Sequence, residues 1–490
     1  MTELSETTAT SRLVGFLSDV RYGDLSADAA HEAKRLVLDT LGCALGGRQS
    51  PLGEIAVRYA GLTGSAPAEA TVVGSSPASA FAAATANGRM AGALDADDTF
   101  ASAGQTSHHG GSAVMASLAL AEQQGSSGKA LLAAVAAGYE IGARFGVSVP
   151  AREVAPTAER SGKWRVGGGP AGVLAASLAA SHILGLDATA AVNALGIAGA
   201  HIDMPPLKWF EADVAPMVKS LDVGWNSGTG VASAQLAALG MTGHANILDG
   251  ETGLWNALGY AAFDYETLTR DLGERWYMLD GSFKRWPCQY WVQPALSAFW
   301  KILDEHGLQA DEITAVTLRT NTRSGAPRFR QKQPEGFVTC QFNLPHPAAM
   351  LALRVPPGPR WFDDEALGGA DVRAFREKVE VEIDPEALRA GEWIVDGMIQ
   401  KIPGSAVVHA RGTTFEQRAD APFGAPWFDE TRLDDDALRR KVRDMAAPLI
   451  ARDGSAAARV DRFCDAALAL EELEDVRELT RLLTAIGVSI

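Results

Sequence analysis

Cysteine, aromatic residues and positive charge are all scarce in this chain, and each scarcity excludes something. The four cysteines among 490 residues, Cys43, Cys288, Cys340 and Cys464, lie far apart with no CxxC pair. Neither a disulfide framework nor a zinc knuckle is expected, and reduced thiols in a cytosolic protein are the plain reading. Aromatics make up only 7% of the chain, while Ala and Gly recur throughout, which suits closely packed helices better than a β-sandwich. The formal charge is −16 and no long Lys/Arg run is present. A protein that reads a nucleic-acid backbone needs a basic face to displace counterions, so that class is set aside. The opening "MTELSETTATSRLVGFL" carries acidic residues where a signal peptide would be basic and lacks an apolar core, so a cytoplasmic location is expected. The most membrane-like run, "LLAAVAAGYEIGARFGVSV", contains Glu140 and Arg144. It reads as a buried helix and not as a membrane span.

What is present is ample material for burial: 47% of the residues are apolar, in a chain longer than one hydrophobic core usually serves. "LSADAAHEAKRLVLDTLGCALGG" reads as an amphipathic helix, with Ser26 as N-cap, Asp28 in the first turn and Gly46 to stop it. Similar Ala-rich stretches cover 78–95, 112–124, 128–147, 171–184, 188–199 and 226–240, each bounded by Gly, Asp or Pro signals. After about residue 282, "DEITAVTLRTNT", "KVEVEID" and "SAVVHARG" alternate or are rich in β-branched residues, which predicts strands with one wet face. The helical period returns at "LDDDALRRKVRDMAAPLI", where Pro448 bends or ends a helix. A mainly α protein is expected: helical over 1–280, mixed over 281–430, and helical again over 431–490, with the last segment packing back on the first.

Three segments are candidates for chemistry. "LDADDTFASAGQTSHHGG", residues 94–111, supplies Asp95, Asp97, Asp98, His108 and His109. These are metal-ligand types, but the spacing matches neither an EF-hand nor HExxH, and a solvated helix-capping loop reads the same residues as well. "VGGGPAG" at 166–172 formally contains GxGxxG. It follows "ERSGKWR" instead of a hydrophobic strand, so a dinucleotide site is rejected; the glycines fit a close approach to a ligand before a helix whose first amides favour an anion. Lys163, Arg165, Lys208, Lys219, Lys284 and Arg285 stand beside Gly, Pro and Trp, where cations clamp carboxylates or simply line the surface.

The order of motifs carries a resemblance. "LVLDTLGCALGG", "GALDADDT", a His-Gly turn opening an Ala-rich helix, "KSLDVGWNSGTGVASAQLAALGMTGHANILDGETG" and "FKRWPC" together resemble the MmgE/PrpD family, whose members include dehydratases, decarboxylases and an epimerase of small carboxylates. The resemblance implies a large all-helical domain with a smaller α+β lid, a homodimer, and no metal or organic cofactor. Carried over residue by residue, it places Asp95, Thr99, Lys219 and Lys284 in the pocket and His109 at the family histidine, with His108 as the neighbouring alternative. His109 is then the principal acid/base group, oriented by Asp95; Lys219, Lys284 and Arg165 bind carboxylates, and Thr99 and Gln289 supply hydrogen bonds. The chain departs from the family at Gly92, Arg165, Asp222 and Gln289, where relatives carry His or another polar group. Arginine stays charged and glutamine does not titrate, so two proton-handling groups are missing. The expected function is a cofactor-independent lyase acting on a small carboxylate. An isomerase or epimerase, or a non-catalytic carboxylate-binding paralogue, is the alternative. Tryptophans 164, 209, 225, 286 and 291 near these segments either widen the pocket or pack the interior.

Overall fold

The computed structural model describes residues 8–63, 68–150, 169–202, 213–218, 222–321 and 326–487. The helices start where short polar side chains accept from the first free amides. Ser26 caps Ala27–Gly47, Ser79 caps Ala80–Gly92, Ser127 caps Gly128–Ser148, Asp187 caps Ala188–Gly199 and Asp222 caps Val223–Ala238. The fold is mainly α.

At its centre the Gly169–Ile183 helix is surrounded by His109–Gln124, Gly128–Ser148 and Val223–Ala238. Small residues make that crossing possible. A Cβ on Gly138 would lie 2.6 Å from the Ala175 carbonyl, and one on Gly230 would lie 2.5 Å from the backbone of Ala176, so only glycine lets these backbones meet. Gly128–Ser148 is long and apolar enough to cross a membrane, yet 94% of its apolar window is buried inside the protein. Within it Arg144, 1% exposed, pairs with Glu140 at 3.1 Å. It also donates to the carbonyls of Arg270 and Arg275 at 2.7 and 2.9 Å, so a buried charge is spent on fixing the 268–278 segment.

The expected strands are found at Ile313–Thr320, Val379–Ile383 and Gly404–Ala410, joined by a fourth at Thr413–Ala419. Val379–Ile383 runs parallel to Ile313–Thr320, and the other two add antiparallel. The Gln293–Glu305 helix packs on this sheet around a second hydrophobic cluster. At the C-terminal end Pro448 falls in the first turn of Ala447–Arg452, just after Asp435–Met445 has stopped, the helical position that proline tolerates. Asp435–Met445 and Ala456–Leu468 both lie against Ala27–Gly47. All four cysteines are free and buried.

Candidate active site

The 94–111 stretch is no solvated loop: residues 93–102 are buried without a break. The Ala80–Gly92 helix stops short of the expected residue 95 because Asp95 adopts a left-handed φ of 55°, a conformation that ends a helix and costs a non-glycine residue energy. The chain then enters the strand Asp98–Ala101, which pairs with Thr106–Ser107 on one side and Ser282–Phe283 on the other. These short pairings bring the aspartates, the histidines and Lys284 together from distant parts of the sequence.

Two buried lysines grip the turn. Lys284 Nζ donates to the Asp95 carbonyl at 3.0 Å and to Asp95 Oδ1 at 2.8 Å, with Asp97 Oδ1 at 3.5 Å. Burial works against its charge, but Asp95 and Asp97 outweigh burial and hold its pKa above the ordinary lysine value. From the opposite side Lys441 Nζ donates to the Ala96 carbonyl at 2.6 Å and to Asp39 Oδ1 at 2.5 Å. Its charge too survives burial, because Asp39 compensates.

The two histidines point apart. His108 occupies the N-cap position of His109–Gln124 without capping it; Asp98 Oδ1 accepts from Gly111 N–H at 3.0 Å instead, placing a carboxyl oxygen on one of the free amides of the first turn. His108 Nδ1 lies 2.5 Å from the Asp98 carbonyl, 3.5 Å from Thr99 Oγ1 and 3.6 Å from Asp97 Oδ2. A carbonyl only accepts, so Nδ1 carries the hydrogen and Nε2 is left as the basic nitrogen. Burial and then Lys284 lower the His108 pKa, while Asp97 and Asp95 oppose them.

His109 turns into the core. Its Nδ1 meets Ser107 Oγ at 2.8 Å, and its ring packs 4.3 Å from Tyr139 and 5.3 Å from Phe100, centroid to centroid. A Cβ on Gly142 would stand 2.8 Å from His109 Cδ2. Burial, helped by His108, pulls its pKa down to about 3. In the unfolded chain a histidine takes its proton near 6.5, so between those values the unfolded state binds more protons. The stability contributed by the neutral ring is complete above about 6.5 and is lost as the pH falls toward 3. Relative to wild type, His109→Phe is therefore expected to gain on acidification through that window, by up to ~1.4 kcal/mol per pH unit. Urea melts of both proteins near neutrality and about two units lower check this; parallel pH dependences would refute it.

The remaining residues named from the sequence divide. Gln289 N–H donates to the Gln341 carbonyl at 2.9 Å, and Gln341 Nε2 in turn donates to the Ala93 carbonyl at 3.0 Å. Asp222 is held by Arg89 at 3.0 Å. Trp286 and Trp291 are buried, whereas Trp225 is 41% exposed. Lys163, Trp164, Arg165, Lys208, Trp209 and Lys219 lie outside the described residues. Among the described residues, the structure thus gathers Asp95, Thr99, His108 and Lys284 and sends His109 elsewhere. Sequence reasoning missed Lys441 and Asp39. The signal for Lys441 was there: in Asp435–Met445 the buried residues are Ala437, Leu438, Lys441, Val442 and Met445, so the lysine interrupts an apolar stripe of helical period.

Residues 11–266 match the MmgE/PrpD N-terminal domain and residues 286–466 the MmgE/PrpD C-terminal domain. Human cis-aconitate decarboxylase is 28% identical, over 95% of this chain and 92% of its own length. The mouse cis-aconitate decarboxylase is 27% identical over 97% and 93% of the two chains, and that of Aspergillus terreus 24% over 97% and 95%. Matched in both halves and along nearly the full length of these relatives, the chain belongs to the MmgE/PrpD family.

Proposed function

We propose that the protein is a cofactor-independent lyase acting on a small carboxylate, by decarboxylation or by β-elimination of water, with His108 as the group that carries the proton. The observation behind this is the His108 ring, fixed at Nδ1 by the Asp98 carbonyl and set beside Asp97 and the Lys284 ammonium. A base so oriented has one ring nitrogen committed and the other available. The role that the family resemblance assigns to His109 passes to its neighbour, because the His109 ring is wholly buried among aromatics.

In decarboxylation the bond from carbon to the carboxylate breaks, carbon dioxide leaves, and the carbanion takes a proton. In dehydration a C–H proton is removed and hydroxide leaves as water. Both need a proton carrier and positive charge over the enolate-like oxygens. Lys284 is already met by Asp95 and Asp97, so its part is to fix Asp95 and lend its field. Lys219 and Arg165 take the substrate carboxylates, while Thr99 and Gln289 supply hydrogen bonds. The 281–430 segment acts as a lid over a helical domain comprising 1–280 and 431–490, and the assembly is a homodimer. The names of the relatives support cis-aconitate as the first substrate to try.

Gln289 favours a second reading, because a site with few titrating groups suits an epimerase, which returns a proton without expelling anything. Proton NMR in deuterium oxide with cis-aconitate, 2-methylcitrate and iminodisuccinate separates the two. New vinyl signals or carbon dioxide release are expected for the lyase. Exchange at the α-carbon without elimination would replace it with the epimerase, and binding without turnover or exchange would leave a carboxylate-binding paralogue.

A further inference from the structure

Behind the His108 turn lies an internal cavity walled by Glu32, Leu36, Asp98, Tyr139 and Phe283. The centre of a water molecule has about 10 Å³ of free space there, the minimum for one molecule. Two side chains in its wall carry an unanswered polar atom. Asp98, 1% exposed, uses Oδ1 on Gly111 and has no protein partner for Oδ2; Tyr139, 2% exposed, has none for its hydroxyl. Both are kept in place by bare backbone: a Cβ on Gly110 would lie 2.6 Å from Asp98 Oδ2, and one on Gly281 would lie 2.6 Å from Tyr139 Oη. Buried polar atoms without partners are costly to keep, and a polar cavity of this size is filled by a water that satisfies them.

We propose that one buried water bridges Asp98 Oδ2 and Tyr139 Oη, that Asp98 is a neutral carboxylic acid donating to it, and that Asp98 so held is a positioning residue for His108. The charges around Asp98 argue for the neutral acid. Asp97 precedes it in the chain, Asp39 acts on it from the Ala27–Gly47 helix, and only Lys284 opposes them. Glu32 faces the same cavity, and Tyr139 is acted on by Asp98 itself and then by Asp280, Glu140 and Glu32. Burial first and Asp97 second push the Asp98 carboxyl up to about 7, against the helix amide of Gly111. An acid whose hydroxyl has an acceptor keeps its other oxygen on Gly111, and its backbone carbonyl remains where His108 Nδ1 needs it. One residue thereby fixes both the start of the His109–Gln124 helix and the tautomer of the histidine beside it.

The water and the acid need no substrate to be seen; only the consequence for catalysis rests on the proposed role of His108. In a crystal structure of the full chain that resolves ordered waters, a peak within hydrogen-bond distance of both atoms is expected. Infrared spectra slightly below neutral pH should show the carbonyl stretch of a buried protonated acid. Asp98→Asn should abolish that band, and Tyr139→Phe, which keeps the ring and removes the hydroxyl, should shift it. If Asp98→Asn does not fold, the Tyr139→Phe shift decides. Nitrogen-15 shifts of His108 should report Nδ1–H in wild type and in Asp98→Asn, whose amide donates and accepts as the neutral acid does, and a mixture of tautomers in Asp98→Ala, which loses the cap at Gly111. A dry cavity, or a band indifferent to both variants, overturns the proposal whatever the substrate screen returns.

Discussion

His108→Ala is expected to retain its fold and lose turnover by about 10²–10⁴-fold, the range for removing a positioned general acid or base, whereas His109→Ala is expected to lose stability first. The two rings are adjacent in sequence and opposite in environment. Removing His108 vacates a place at the edge of the charged cluster, where its side chain is 11% exposed and its firm partner is one backbone carbonyl. Removing His109 opens a hole between Phe100, Tyr139 and Gly142 and strands Ser107 Oγ. Truncating a large core ring costs about 3–5 kcal/mol. Thermal melts and turnover of both variants, measured on whichever substrate the NMR screen identifies, distinguish the roles. A His108→Ala protein with wild-type kcat, or a His109→Ala protein that melts like wild type but is inactive, would reverse the assignment.

Much of this was legible in the sequence, and what was not failed for a physical reason. Periodicity and caps located the Ala-rich helices of the centre, because Ser26, Ser79 and Ser127 each sit where the apolar stripe begins, but not Ala9–Asp19, Pro51–Thr63 or Gln293–Glu305. The strands Ile313–Thr320, Val379–Ile383 and Gly404–Ala410 declared themselves by alternation and β-branched residues, whereas Thr413–Ala419, exposed along most of its length, did not. The stretch at 94–111 was harder: a run with three aspartates reads as wet, and nothing local reveals that Lys284 and Lys441 arrive from far along the chain to bury it. Nor does adjacency say which of two histidines faces the charges. That choice is made by where Asp98 caps the next helix: the cap at Gly111 leaves His108 outside the first turn and carries His109 into it. The family resemblance puts the role on the residue inside the helix; the function proposed above puts it on the one before.

The Lys441–Asp39 pair provides the sharpest separation of stability from function. Lys441→Met should destabilise by about 3–5 kcal/mol, since it leaves the Asp39 carboxylate buried without its cation, and Asp39 is 1% exposed. Removing both charges together, as Asp39→Asn with Lys441→Met, should restore most of that stability, because two apolar or neutral groups avoid the cost of desolvating an ion pair. Activity should not return with it. Lys441 also donates to the Ala96 carbonyl, one residue beyond the left-handed Asp95; without that donor the turn loses one of its two lysine anchors, and the angle at which Asp95 and Asp97 face His108 relaxes. A shift of about 1 Å in such a group is enough to lower turnover about 10²-fold. The double variant should therefore melt close to wild type while kcat falls and carboxylate binding changes little. If kcat recovers with the melting temperature, Lys441 stabilises the domain and does not shape the site.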